Sequence, residues 1–454
     1  MSLMNPEFRR NLWLELTPAR LGVSVLAVVS LLALAGVRDS GMTALSGAAE
    51  TLFGVVIFLW GGRLAADSVL QEITERTWDT QRMSALGPWQ MSWGKLFGAP
   101  ICAWAASLPA LAVMVWLDGV QQAAIYVLLG VLCHAIALTL SLQSIRKGRQ
   151  HGRVKTLFFQ FVALLVVLPF AYLLIWRNYW VERESMSWFS LQIDILSFAL
   201  ISALLFSAWA VLAVYRQMRL ELQKPTAPTA WLAFLVFLLV YQTGLIYGGT
   251  SAVDTALRDL SDLKLKDATP FSLTLFTAGM LLSALVYLAI FTEAKSMIGL
   301  RQVWDGLRRG DWRRLWLHFP RWAITLKFAA IATILIVLFI DLPASAQATD
   351  SQFDRLVIAS FLFLLRNVGI VLLCNFMARS GRGDLAAIIL LIVLSVIAPL
   401  IFGGASPVVA SLFWPPLDGS WAMTLIPVLA QLVLVGGLLI RVWLQAEKQR
   451  NSAI

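Results

Sequence analysis

The residues that could do chemistry are few and scattered. Arg366 and Asn367 fall near the middle of an apolar run, Leu356–Met377, where an ionisable group is costly and marks function by default. A structural role for Arg366 and contact with an anionic substrate or lipid headgroup in a pathway are both open. His134 sits in the middle of a second run, Ala123–Leu142. No other histidine or carboxylate stands three or four residues from it, so a hydrogen bond to a neighbouring hydroxyl or carbonyl is expected rather than a metal. Asp194 and Asp341 lie near the ends of runs, and neither is the central carboxylate that a proton or sodium pathway needs. Gly404-Ala405-Ser406 is a Gly-x-Ser at the end of a run. No histidine follows His318, so its base would have to be His134, far away in the chain; Gly-x-Ser-x-Gly and His-Glu-x-x-His are both missing. From Gly87 to Lys95 the spacing fails as a phosphate loop. Six residues separate Gly87 from Gly94 where four are needed, and Leu96 follows the lysine where a Ser or Thr should hold magnesium. Catalytic residues, a metal and a cofactor bound by this chain are not expected.

The elements that would position these residues are membrane helices. Hydrophobic residues make up 59% of the chain and charged ones 14%, more apolar surface than a soluble core can hide. The runs are about 17 to 24 residues long, the length of helices rather than of alternating barrel strands. Twelve are expected: Leu21–Val37, Ala48–Ala65, Leu96–Trp116, Ala123–Leu142, Thr156–Trp176, Ile193–Tyr215, Trp231–Gly248, Phe271–Phe291, Leu326–Leu342, Leu356–Met377, Leu385–Phe402 and Met423–Trp443. Cys102, Cys133 and Cys374 all fall inside runs and read as buried free thiols. Residues 1–20 read as an amphipathic surface helix ahead of an uncleaved first span. Ala33-Leu34-Ala35 admits a cleaved signal as the alternative, against which the length of the charged leader and Glu15 argue.

An even number of spans puts both termini on one side. With that side cytoplasmic, 28 of the 36 lysines and arginines lie inside, seven lie in outer loops, and Arg366 lies within a span. The positive-inside rule fixes the orientation accordingly. The net charge of +10 is thereby topology, and no nucleic-acid partner is expected. A Pro-containing junction, RQMRLELQKPTAPTA with Pro225 and Pro228, divides the chain into halves 1–224 and 225–454 of six spans each. Both halves begin and end inside, so a parallel repeat about an axis along the membrane normal is expected. The outer loops are short. The longest, Gly249–Pro270, contains SAVDTALRDLSDL, whose apolar spacing suggests an amphipathic outer helix.

The longest polar interruption of the first third, within residues 67–95, mixes Glu72, Glu75, Arg76, Asp79 and Arg82 with Met83, Leu86, Trp89, Met91 and Trp93. That is the composition of an amphipathic surface helix. Gly87-Pro88 breaks it, and Pro88 suits the first turn of a second helix that enters the membrane past Lys95. This layout resembles the first cytoplasmic loop of type-2 ABC transporter permeases. Glu72 and Glu75 stand at the family's acidic position, Thr77 at the Thr of its Gly-Thr pair, Pro88-Trp89 at its second Pro, and Gly94-Lys95 at its Gly-Lys. Arg76 stands where the Gly is usual and Ala85 where the first Pro is usual. The resemblance covers this loop and, in layout, the first six spans.

The resemblance implies the pathway-forming membrane subunit of an ATP-driven exporter in the bacterial inner membrane. ATP and magnesium would be bound by a separate pair of P-loop ATP-binding subunits. Glu72, Glu75, Thr77, Trp78, Arg82, Pro88, Trp89 and Lys95 are the implied coupling residues. A second large cytoplasmic loop, 293–327, carries LRRGDWRRLWLHFPRW, and Pro320 precedes Lys327 by the interval that separates Pro88 from Lys95. It reads either as a degenerate second coupling loop, through Trp312 and Trp316, or as a basic helix on anionic lipid. A second permease chain, an ion-coupled transporter and a membrane scaffold are the open alternatives, and the cargo is not specified.

Overall fold

The computed structural model describes residues 5–38, 42–146, 160–167, 185–224, 226–248, 269–339, 347–378, 382–402, 407–416 and 420–451. These are nearly all helical, with one two-stranded hairpin. Among them ten helices are long and apolar enough to cross a membrane, or eleven if one bent pair is counted as a span. The chain is thus a multi-pass, nearly all-α membrane protein. Of the expected span Thr156–Trp176 only 160–167 is described, as helix. Asp341, Pro225, the Gly404–Ser406 tripeptide and the SAVDTALRDLSDL segment lie outside the described residues. Contacts divide the chain into unit 1, Met1–Met186 with Gln192–Thr226, and unit 2, Ser187–Leu191 with Ala227–Ile454.

Unit 1 opens with α1 (Pro6–Glu15), started by Asn5, whose side chain accepts from the Glu7 N–H, and by Pro6 at the first position. Then come α2 (Pro18–Arg38) and α3 (Met42–Thr74). Within α3, Val55–Gly61 is π-helical; the Gly62 N–H serves both the Ile57 and the Leu59 oxygen, and these carbonyls have room for further donors. Its neighbours supply them. His134 Nε2, on α7 (Val120–Arg146), lies 2.9 Å from the Ile57 oxygen, Gln160 donates to the Leu59 oxygen at 2.7 Å, and the Cys133 thiol faces the Phe58 oxygen at 3.7 Å. His134 is therefore held by a backbone carbonyl. Along the same seam Ser141 donates to the Ala66 oxygen at 2.8 Å, Tyr126 to Glu50 at 3.1 Å, and Gln122 also to Glu50. These side chains join two helices as hydrogen-bonded glue.

The expected span Leu96–Trp116 is not one helix. α5 (Pro88–Gly98) and α6 (Ile101–Leu117) meet at a 51° bend. Pro100 lacks an N–H and its ring would clash with the Leu96 carbonyl, so the ladder breaks there. Between α3 and α5 lies the short α4 (Trp78–Arg82). A hairpin of β1 (Ser185–Trp188) and β2 (Leu191–Asp194), unforeseen in the sequence, precedes α8 (Ile195–Glu221). Asp194 caps α8, accepting from the Ser197 N–H at 3.0 Å, so its carboxylate has a structural task.

Unit 2 contains α9 (Thr229–Tyr247), α10 (Pro270–Thr292), α11 (Met297–Arg309), α12 (Trp312–His318), α13 (Arg321–Phe339), α14 (Gln347–Met377), α15 (Gly383–Phe402), α16 (Pro407–Ala410) and α17 (Trp421–Asn451). α10 packs on α13, and α14 on α17. Gly369 permits the second approach, because a Cβ there would lie 2.7 Å from Val435 Cγ1.

Replacing His134 with leucine is expected to remove one donor from the Ile57 carbonyl, which keeps its bond from the Gly62 N–H, at a cost of about 0.5–1.5 kcal/mol. Thermal unfolding in mild detergent should show the loss, whereas a metal chelator should leave the wild-type midpoint unchanged.

Candidate functional site

The end of α3 sets the shape of the loop. The Thr77 N–H bonds the Glu72 carbonyl at 2.8 Å and the Arg76 N–H bonds the Ile73 carbonyl at 3.1 Å. This pair of bonds is a Schellman motif, which needs a left-handed residue just past the helix. That residue is Arg76, with φ of 60°. A non-glycine side chain there costs about 1–2 kcal/mol, and the position is the one where the resemblance puts glycine.

The phase of α3 at its last turn points Glu72 inward, into a cluster that the sequence did not suggest. Lys95 is fully buried, and its Nζ lies 3.2 Å from Glu7 and also pairs with Glu72. Arg10 bridges the same two acids, 2.9 Å from Glu7, while Gln81 donates to Glu72 at 2.7 Å. The Trp78 ring, itself buried, lies 5.3 Å from the ammonium. Two carboxylates thus face two cations with no net charge left over, which is what burial of this many ions requires.

α1 reaches the cluster because α5 has no side chains in its way. A Cβ on Gly94 would lie 2.6 Å from Glu7 Cβ, and one on Gly98 2.9 Å from Asn11 Cβ. Asn11 donates to the Gly94 oxygen at 3.2 Å, and Asn5 donates to the Gln90 oxygen at 2.6 Å. Burial alone would raise the Glu7 carboxyl. The Lys95 ammonium and the Arg10 guanidinium outweigh it and hold Glu7 below the ordinary carboxylate value.

The expected coupling residues therefore separate by exposure. Glu72, Trp78 and Lys95 are inside unit 1, where a partner cannot touch them; Lys95 needs Glu72 as its counter-ion. Glu75, Thr77 and Trp89 are exposed, and Arg82 and Pro88 are partly so. Exposed Met83 and Trp93 belong to the same surface.

The second loop is built otherwise. Glu293, just past α10, accepts from the Arg321 N–H at 2.9 Å and thereby caps α13. Lys295 pairs with Asp384, which also accepts from Asn375 at 3.0 Å, and Arg301 pairs with Glu447 at 2.6 Å. Trp312 is exposed, whereas Trp316 packs against the core of unit 2. Lys327 is exposed, so the matching Pro-to-Lys interval does not give it the role of Lys95.

Arg366 is buried within α14. Its Nε and Nη2 bond the Asn367 oxygen at 3.0 and 2.8 Å, and its Nη1 bonds the Gln431 oxygen at 2.6 Å. Asn367 in turn donates to the Tyr287 hydroxyl at 2.7 Å. Glu7, Arg10 and Asn11 were missed in the sequence because their partners lie more than 60 residues away. The signal that existed was the GKLFG spacing at 94–98, two glycines one turn apart on one helix face. Glu50 was legible as an acid inside an expected span. Compared with known proteins, the chain matches no family model, no curated protein and no solved structure.

Two outcomes follow from this geometry. An unfolded glutamate titrates at about 4.3 and folded Glu7 lower, so its stabilisation is complete above that unfolded value and lost as pH falls through the folded one; the thermal midpoint should drop as pH falls below about 4.3, and less steeply in Glu7→Gln. Arg76→Gly should relieve the left-handed strain and raise stability by up to about 1 kcal/mol, read as a higher unfolding midpoint.

Proposed function

We propose that the chain is the membrane-spanning permease subunit of an ATP-driven exporter of the type-2 ABC class. Twelve spans in two parallel six-span halves, with both termini cytoplasmic in a bacterial inner membrane, form or share the translocation pathway. A separate pair of P-loop subunits binds ATP and magnesium. The observation that carries this reading is the loop after α3. Arg76 takes a left-handed conformation at the place where the resembled family has glycine, and the loop beyond it is anchored by buried ions while Glu75, Met83 and Trp89 face outward. An acidic and aromatic surface on a fixed base suits a partner with a basic-rimmed cleft, and aromatic side chains are favoured anchors in such contacts. Trp312 extends the proposed contact to the second loop.

Ion-coupled transport is the second reading. Glu50, a carboxylate within α3 bonded by Gln122 and Tyr126, favours it, since such groups mark ion pathways.

The deciding experiment tags the C-terminus, extracts the protein in mild detergent and asks whether a P-loop ATPase co-purifies. Glu75→Lys and Trp89→Ala leave the buried cluster intact and remove only a bond from Gln71 and ring contacts with Tyr215 and Trp93, whereas charge reversal at Glu72 would disrupt the buried cluster as well. The expected result is an ATPase with wild type that is reduced at least about tenfold in the double variant, as loss of an anchor worth 2 kcal/mol or more implies, at an unchanged unfolding midpoint. Absence of an ATPase under all conditions would overturn the reading in favour of transport through the region of Glu50.

A further inference from the structure

Arg366 is the fourteenth of the 25 residues in the candidate span Phe353–Met377, and among the described residues no carboxylate pairs with it. Its bonds all go to neutral groups: the Asn367 oxygen through Nε and Nη2, and the Gln431 oxygen through Nη1. The Phe363 ring lies 4.6 Å from its central carbon. A guanidinium has five N–H donors in a fork that matches carboxylates and phosphates. Here the outer edge of that fork is closed by a single amide oxygen. The other ion pairs described for unit 2 meet carboxylates: Lys295 has Asp384, Arg301 has Glu447, and Arg321 has Glu293. Arg366 alone among these four cations has amides in that place, and it is the one in the middle of a span.

We propose that Arg366 receives an anionic headgroup, a phosphate or carboxylate carried on an apolar tail, with Asn367 and Gln431 as neutral placeholders. An anion cancels the guanidinium's charge as well as taking up its N–H groups, a gain that neutral amide oxygens cannot supply and that a low dielectric enlarges, so the headgroup displaces the amide oxygens. Gln431 is itself held by its Nε2 donating to the Leu412 oxygen at 2.8 Å, and Asn367 by Tyr287. Both amides therefore have second partners. The tail is required by the surroundings. The residues of α17 near Gln431 that are exposed, Leu429, Val433 and Leu434, are apolar and face no water in a bilayer. An anion reaching Arg366 past them needs an apolar body. That the bound molecule is cargo rests on the permease reading; the binding itself does not.

The test uses the full-length protein in neutral detergent, titrated with phosphatidic acid. Phosphatidylcholine serves as the control without net charge, inorganic phosphate serves as the control without a tail, and binding is read from tryptophan fluorescence and the unfolding midpoint. Wild type is expected to bind phosphatidic acid saturably and phosphatidylcholine not at all. Arg366→Gln and Gln431→Glu should each weaken binding at least about tenfold, the loss expected when a bond to a charged group is removed. Gln431→Glu gives the guanidinium an internal counter-ion, so its midpoint should hold or rise while binding falls, an outcome that unfolding cannot mimic. Competition by inorganic phosphate would overturn the requirement for a tail; its absence would support it. Binding of phosphatidic acid unchanged in Gln431→Glu, or no binding by wild type, would overturn the proposal. No step uses an ATPase, so failed co-purification and failed lipid binding are separate results.

Discussion

The buried ammonium of Lys95 constrains more of unit 1 than any other single group. A lysine removed from water needs carboxylates within reach and its hydrogens taken up. Glu72 and Glu7 meet that need, and each brings an element with it. Glu72 fixes the last turn of α3, since the same residue supplies the carbonyl that closes the Schellman motif. Glu7 fixes α1, which can come close enough only because Gly94 and Gly98 leave the face of α5 bare. Arg10 then neutralises the second acid and Asn11 ties α1 to the α5 backbone. Three helices and one loop are thus positioned by the electrostatics of one charge.

Unit 2 solves the corresponding problem without burying a lysine at the start of its returning helix. Glu293 acts on backbone N–H groups at the first turn of α13 and pairs with the Arg321 side chain of that same turn. This is an N-terminal cap with a favourable helix dipole, and it needs no third helix. The basic residues of α11 and α12 are consequently free of that duty. Arg301 is paired with Glu447 on α17, and Arg308 stacks 5.0 Å above Trp304 on the same helix. Chain length alone hid this difference, because the interval from Pro320 to Lys327 repeats that from Pro88 to Lys95 while the acids around it do not repeat.

Membrane helices were legible because their signal is local: length, apolar content and bounding charge are all read within one segment. The break in the expected span at Leu96–Trp116 was legible in principle too, since Pro100 stands four residues after Leu96 and a proline there must interrupt the ladder. The π-helical turn of α3 was not. Its carbonyls take added donors from His134 and Gln160, 77 and 101 residues distant from their acceptors, and nothing in VVIFLWG announces them. The loop carried an intermediate signal. Its residue types predicted a surface helix, but burial divides them, and whether Glu72 or Glu75 points inward follows from the phase of α3 at its last turn.

Polar groups at membrane depth fall into two kinds here, and the distinction is one of charge balance. Where His134 and Ser141 meet backbone carbonyls along the seam between α3 and α7, both sides are neutral, so each bond removes a desolvation cost and leaves nothing over. Such bonds stabilise packing and ask for no ligand. At Arg366 the donors are satisfied in direction but not in charge. Neutral oxygens lower the cost of the buried guanidinium without cancelling its field, and in a low dielectric that field is screened little. The hydrogen-bond geometry of Asn367 and Gln431 holds the cation in place, and the uncompensated charge is what distinguishes a position prepared for an anion from one that only packs.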